Sequence, residues 1–163
     1  MLTIRKAEIK DLRAITEIYN QAVLRTTATF DTAPKTVEEQ RVWYNQHGPK
    51  YPVLVAEENG KVVGWASLSA ASERCAYAGT AEGSIYIDTE CRGKGVGREL
   101  GAAILKAGKD AGLHTVILKI AEGNEASMKL AKSLGFKNIG VMKEVGNKFG
   151  KYLDVTMMQI IFE

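Results

Sequence analysis

The period of the apolar positions switches along the chain between two and about 3.6, the signatures of strand and helix. Leu2-Thr3-Ile4-Arg5 alternates and predicts a short first strand. Leu12, Ile15, Ile18, Tyr19, Ala22 and Val23 then recur at helical steps, predicting an amphipathic helix that ends near Arg25. Thr26 to Pro34 is polar and turn-rich, so it reads as a loop. Thr36 with Glu39 has the form of a capping box and opens a second helix to about Gln46. Val53–Glu57 and Lys61–Leu68 are strands joined by Asn59-Gly60, a strong hairpin signal. Ala81–Asp88 is a further strand. A helix follows with Val96, Leu100, Ala103, Ile104 and Ala107 on one face. Thr115–Ile120 is apolar and β-branched, hence a strand. Asn124–Leu134 is a short helix closed by Gly135. Two last strands, Lys137–Val145 and Tyr152–Phe162, flank a turn expected over Gly146–Gly150. The order β, α, α, β, β, β, α, β, α, β, β predicts one α/β domain over residues 1–163, a mixed sheet with helices packed on it rather than a doubly wound alternation.

Length agrees with a single domain: 163 residues and 17.8 kDa are enough to bury roughly 70% of the unfolded surface without a disulfide or metal staple. No apolar run reaches the ~18 residues of a membrane span, and the N-terminal stretch lacks a signal-peptide core, so a cytoplasmic protein is expected. The net charge of +3 is too mild to imply a nucleic-acid partner. Cys75, Cys91, His47 and His114 have no metal-ligand spacing, so no metal site is expected and both cysteines read as structural.

The chemistry concentrates in Arg92-Gly93-Lys94-Gly95-Val96-Gly97-Arg98, between a strand and an amphipathic helix. Alternate glycines admit positive φ and a close main-chain approach, and the N–H groups of the following helix start carry partial positive charge. Such a cradle suits a phosphate or pyrophosphate. The string is neither a Walker A loop nor the dinucleotide fingerprint, because the position of the third glycine is Arg98 in one register and Leu100 in the other.

Arg92-x-x-Gly95-x-Gly97 at a strand-to-helix junction resembles the acyl-coenzyme A pyrophosphate loop of the GNAT superfamily of N-acetyltransferases. Asn124-Glu-Ala-Ser127-x-x-Leu130-x-x-x-x-Gly135-Phe136 resembles its second cofactor segment. Arg74-Cys-Ala-Tyr77-Ala-Gly-Thr80-Ala-Glu82-Gly-Ser84-Ile85-Tyr86-Ile87, Ile18-Tyr19-Asn20 and Lys148-Phe149-Gly150-Lys151-Tyr152-Leu153-Asp154-Val155 are similar to the phosphinothricin and methionine sulfoximine acetyltransferases of that superfamily. The resemblance covers nearly the whole chain. It implies a mostly antiparallel sheet of about seven strands with four helices, splayed between the fourth and fifth strands.

It also implies transfer of an acetyl group from acetyl-coenzyme A to the primary amine of a small, amino-acid-like molecule. Glu82 would be the general base, an ordinary carboxylate needing burial or a water relay to act on an amine. Ile85, Tyr86 and Ile87 would offer main-chain groups to the pantetheine arm, with an N–H near Ile85 stabilising the oxyanion. Gly93 to Arg98, with Arg92, would hold the pyrophosphate, including Lys94, Gly95, Val96 and Gly97. Asn124 and Ser127 would contact the pantetheine, with Asn124 equally suited to cap its helix. Phe30, Arg74, Tyr77, Thr80, Lys148 and Tyr152 would line the substrate pocket, the last hairpin acting across a homodimer interface. Leu153, Val155, Met157 and Ile160 would lie at that interface or in the core. The chain departs from the pattern at Ala131, where many members carry a tyrosine acid, and at Ala71 and Ser72, where relatives carry an aromatic and a basic residue. Two other readings stay open: a peptide N-acetyltransferase and a non-catalytic acyl-coenzyme A-binding module.

Overall fold

A computed structural model describes residues 1–163. Seven strands and four helices follow the expected order: β1 (Leu2–Lys6), α1 (Leu12–Arg25), α2 (Val37–Asn45), β2 (Val53–Glu58), β3 (Lys61–Ala70), β4 (Thr80–Ile87), α3 (Val96–Asp110), β5 (Thr115–Ala121), α4 (Glu125–Ser133), β6 (Lys137–Lys148) and β7 (Lys151–Ile161). They build one sheet in the order β1-β2-β3-β4-β5-β7-β6. Every neighbouring pair is antiparallel except β4 and β5.

Local chemistry sets the ends of these elements. Thr36 Oγ1 accepts from Glu39 N at 3.1 Å while Glu39 Oε1 accepts from Thr36 N at 3.4 Å, the capping box read from the sequence. Asn59 (φ 53°) and Gly60 (φ 77°) turn the β2–β3 hairpin. The last hairpin departs from expectation. Its turn is only Phe149 (φ 54°) and Gly150 (φ 73°), and β6 runs on to Lys148, opposite Lys151. Two successive left-handed residues match the twist of the flanking strands, so no longer loop is needed. Gly146 therefore lies within β6, opposite Leu153, beside a bulge.

Both sheet faces are covered. α3 and α4 lie on one face over fifteen buried residues, Leu68, Leu100, Val116 and Met158 among them. α1 and α2 lie on the other, over a smaller cluster with Leu12, Ile15, Val55 and Trp65 at its centre. Leu153 and Val155 of β7 are buried in the chain itself. No helix is long and apolar enough to cross a membrane.

The β4–β5 pairing has only three rungs, Thr80↔Thr115, Ala81↔Val116 and Glu82↔Ile117. Beyond Glu82, β4 keeps its antiparallel partner β3 as far as Ile87, while β5 diverges. The sheet is splayed where the resemblance implied.

One ion cluster fastens the first strand to α1 and β2. Arg5 donates to both Asp11 oxygens at 2.8 and 2.9 Å and to Glu57 at 2.8 Å. Burial pushes the Asp11 carboxyl up, but the Arg5 guanidinium and the Glu8 main-chain N–H outweigh it and hold the group below its ordinary value of 3.8. Because the folded value is depressed, this stabilisation is present above pH 3.8 and is lost as pH falls through the folded value. Arg5→Ala strands the Asp11 charge and is expected to cost about 3 kcal/mol, read as a lowered denaturation midpoint at pH 7. The deficit relative to the parent shrinks below pH 3.8.

Candidate active site

The splay leaves the β5-facing edge of Gly83–Ile87 without a strand partner. Side chains alternate along β4. Ile85 and Ile87 pack against the α3–α4 core, whereas Tyr86 packs against the α1–α2 cluster, so Glu82, Ser84 and Tyr86 share the second face. Their antiparallel partners on β3 are Ser69, Ser67 and Trp65. A polar and aromatic platform thus forms on one face, and an apolar support on the other.

Three adjoining clefts surround this strand. A wedge cleft of about 390 Å³ fills the splay, lined by Glu82–Tyr86, by Leu118–Ala121 of β5, by Asn124, Ser127 and Leu130, and by Thr27–Phe30. A loop cleft of about 600 Å³ continues it along Ile85–Ile87 to Cys91, Arg92, Gly93 and Gly95–Gly97. An aromatic cleft of about 520 Å³ lies on the platform, between α2 and β3.

The loop cleft carries the geometry expected of an anion cradle. Gly93 and Gly95 have φ of 76° and 84°, and Gly95 is the N-cap of α3. No atom lies within 4 Å of where their Cβ atoms would be, so the main chain faces open space. Of the three cations in this segment, Lys94 and Arg98 are exposed and outside this lining, whereas Arg92 is part of it. Asn124 caps its helix and also lies on the cleft walls. Its Oδ1 accepts from Ser127 N at 3.2 Å, capping α4, and the residue lines both the wedge and the loop cleft with Ser127.

Glu82 occupies the last paired rung, at the mouth of the wedge. Its side chain is 39% exposed, so burial does not prepare it, and Lys119 Nζ lies 3.6 Å away. Lys119 carried no signal in the sequence, because only the parallel alignment of β4 and β5 brings it near. Ala131 is 1% exposed and packs in the core, so α4 offers no acid at that position.

The expected substrate residues divide. Phe30 lines the wedge. Thr80 opens β4 on the same face as Glu82, one pleat away. Arg74 and Tyr77 flank an exposed turn between β3 and β4, and Tyr152 is exposed on β7; none of the three lines these clefts. Lys148, expected in the pocket, lines none of these clefts either: it is 3% exposed and donates to Thr29 O at 2.7 Å. Burial lowers its pKa.

Lys148 thereby anchors the Thr26–Pro34 segment as a strap over the wedge. Tyr19 Oη bonds Thr29 Oγ1 at 2.8 Å and donates to Asp31, and the Asn20 side chain brackets the Lys35 backbone at 2.8 and 2.9 Å. Burial raises the Tyr19 phenol, so it stays a donor, and pushes Tyr86 beneath it up to about 12. No cluster of three His, Cys, Asp or Glu side chains is placed to hold a metal ion.

Phe30 sits on Gly146: a Cβ there would fall 2.2 Å from its ring. Gly146→Ala must displace Phe30 and the strap. Overpacking of this kind is expected to cost about 1–3 kcal/mol, measured by denaturant titration.

Comparison with known proteins matches the sequence and the fold to one family. The model of the acetyltransferase (GNAT) domain matches residues 4–157. The L-methionine sulfoximine/L-methionine sulfone acetyltransferase of Pseudomonas aeruginosa is 39% identical over 160 residues, 97% of this chain and 93% of that protein. A Salmonella typhimurium protein solved with its cofactor acetyl-CoA superposes with a TM-score of 0.96 at 39% identity, covering 99% of this chain and 94% of the other. A GNAT-superfamily phosphinothricin acetyltransferase of Sinorhizobium meliloti, in complex with acetyl-CoA, gives a TM-score of 0.95 at 37% identity, covering 99% and 88%. The chain belongs to the GNAT acetyltransferase family and is an acetyl-CoA-dependent N-acetyltransferase.

Proposed function

We propose that the enzyme acetylates the primary amine of a small, amino-acid-like molecule of the methionine sulfone, methionine sulfoximine or phosphinothricin type, by direct attack with Glu82 as general base. The position of Glu82 carries this reading. It stands where the β4–β5 ladder ends, so it faces both the unpaired edge of β4 and the polar platform.

The β4 edge at Ile85–Ile87 takes the pantetheine arm as an added strand, and the loop from Arg92 to Arg98 takes the diphosphate. Both fit the open cradle and unpartnered edge described above. The amine arrives protonated on the platform side. Glu82 takes a proton from it, directly or through one water, and the freed nitrogen attacks the thioester carbonyl. The N–C bond forms, the carbon–sulfur bond breaks, and the electron pair leaves on sulfur. A β4 main-chain N–H near Ile85 stabilises the intermediate oxyanion. The second proton lost by nitrogen passes to the thiolate or to solvent. The ion pair with Lys119 ties the Glu82 carboxylate to the wedge. Phe30 of the strap lines the wedge, and Thr80 lies one pleat before Glu82 on the same face of β4.

L-methionine sulfone, L-methionine sulfoximine and phosphinothricin, offered with acetyl-CoA, are expected to release free thiol. Glu82→Gln is expected to lower kcat by about a hundredfold or more with coenzyme A affinity retained in calorimetry. Unchanged turnover removes Glu82 from the mechanism, and coenzyme A binding without thiol release across a broad panel of amines and peptides favours a non-catalytic module.

We propose a homodimer formed through β6. This strand is an edge strand exposed along most of its length, with Ile139, Val141 and Val145 about half exposed. A long, bare, apolar edge invites pairing, and a second copy of the chain is the proposed cover. Sedimentation equilibrium is expected to give twice 17.8 kDa, and Val141→Lys to shift the protein toward monomer.

A further inference from the structure

We infer that Ser69, its hydroxyl turned by His47, is an acceptor-binding residue that receives one N–H of the amine beside Glu82. This rests on the acetyl-transfer reading for the identity of the amine, but the hydrogen-bond chain behind it stands on the geometry alone.

The chain is polarised from one end. His47 Nδ1 lies 2.8 Å from the Trp43 carbonyl oxygen, and Nε2 lies 2.9 Å from Ser69 Oγ. A carbonyl oxygen can only accept, so Nδ1 carries the hydrogen. The imidazole is partly buried, edge-on to the Trp43 ring with centroids 4.7 Å apart, and burial favours its neutral form. Nε2 is then a bare lone pair. Its partner must donate, and the only proton available is that of the Ser69 hydroxyl. Ser69 Oγ is left with lone pairs and nothing to donate.

That matters because of where Ser69 stands. It is the direct antiparallel partner of Glu82, on the same face, so the two Cβ atoms are about 5 Å apart. A serine this close to a carboxylate, left to itself, rotates its proton onto the carboxylate and competes with the incoming amine. His47 removes that competition by taking the proton on the far side. The result is two acceptor oxygens on paired residues where two clefts adjoin: Ser69 lines the aromatic cleft, and Glu82, across the ladder from it, lines the wedge. Ser69, Ser67 and Ser84 line the aromatic cleft together with Trp43, Trp65 and Tyr86. An ammonium has three N–H groups to satisfy, and a pair of neighbouring acceptors matches it better than one carboxylate. His47 acts through Ser69 and is a positioning residue.

Titration of L-methionine sulfone into the enzyme–coenzyme A complex, followed by calorimetry, tests this without turnover. Ser69→Ala is expected to weaken sulfone binding about tenfold, with coenzyme A affinity unchanged, and Ser69→Thr to restore it. His47→Phe, which keeps a ring against Trp43, is expected to give the same loss, and the double variant no more than either single one. The 15N spectrum of the wild-type His47 ring, assigned by its absence in His47→Phe, is expected to show Nδ1 protonated. The proposal is overturned by sulfone binding within twofold of wild type in Ser69→Ala, by additive losses, by an Nε2-protonated ring, or by no sulfone binding to the wild type. Normal sulfone binding, lost in Ser69→Ala but accompanied by no thiol release with acetyl-CoA, overturns the catalytic reading and leaves this one intact.

Discussion

Three rungs of parallel hydrogen bonding hold the two halves of the sheet together, from Thr80–Thr115 to Glu82–Ile117. The rest of the site is a consequence of their ending. A strand inside a protein must pair its main-chain polar groups, and β4 does so fully only toward β3. From Gly83 onward its other edge is polar, ordered and unpaired, flanked by apolar walls from β5, α3 and α4. That edge is a hydrogen-bonding template aimed at an extended ligand. Gly83 tolerates the crowding at the fork: an added Cβ would lie 2.9 Å from Leu118 Cδ2.

The pleat of β4 then divides the labour. Ile85 and Ile87 point into the apolar layer under α3 and α4 and keep the strand rigid. Glu82, Ser84 and Tyr86 point to the other face, where β3 sets Ser69, Ser67 and Trp65 opposite them. The coenzyme edge and the amine platform are therefore two aspects of one strand, held in fixed relation by backbone geometry rather than by flexible side chains. Such pre-organisation is what a reaction between two bound molecules requires, since misplacement of the reacting atoms by about an ångström costs orders of magnitude in rate.

The strap is the second constraint. Thr26–Pro34 has no regular structure of its own, yet three side chains from other elements fix it, Lys148, Tyr19 and Asn20, and its own Phe30 packs on Gly146. A buried ammonium is costly, and Lys148 is tolerated because the Thr29 carbonyl accepts a hydrogen bond from it. The exposed last hairpin is thereby coupled to the roof of the wedge, which links the proposed dimer edge on β6 to the site.

Much of this was legible in the order of residues. The periodicities, the Thr36–Glu39 box, the Asn59-Gly60 turn and the Gly135 stop are short-range chemistry, and they fix the elements almost to the residue. The glycine cradle at Gly93–Gly97 is equally local, because it needs only a strand end, a helix start and freedom at φ. The last turn is not legible locally, because Gly146 has the look of a turn residue while its missing Cβ instead admits the Phe30 ring, more than a hundred residues away in the chain. What tertiary structure alone decided are the meetings of distant side chains: Lys119 with Glu82, Lys148 with Thr29, His47 with Ser69. No spacing announces them, because strand order and helix placement follow from burying two apolar faces at once, and that balance is struck over the whole chain rather than in any window of it.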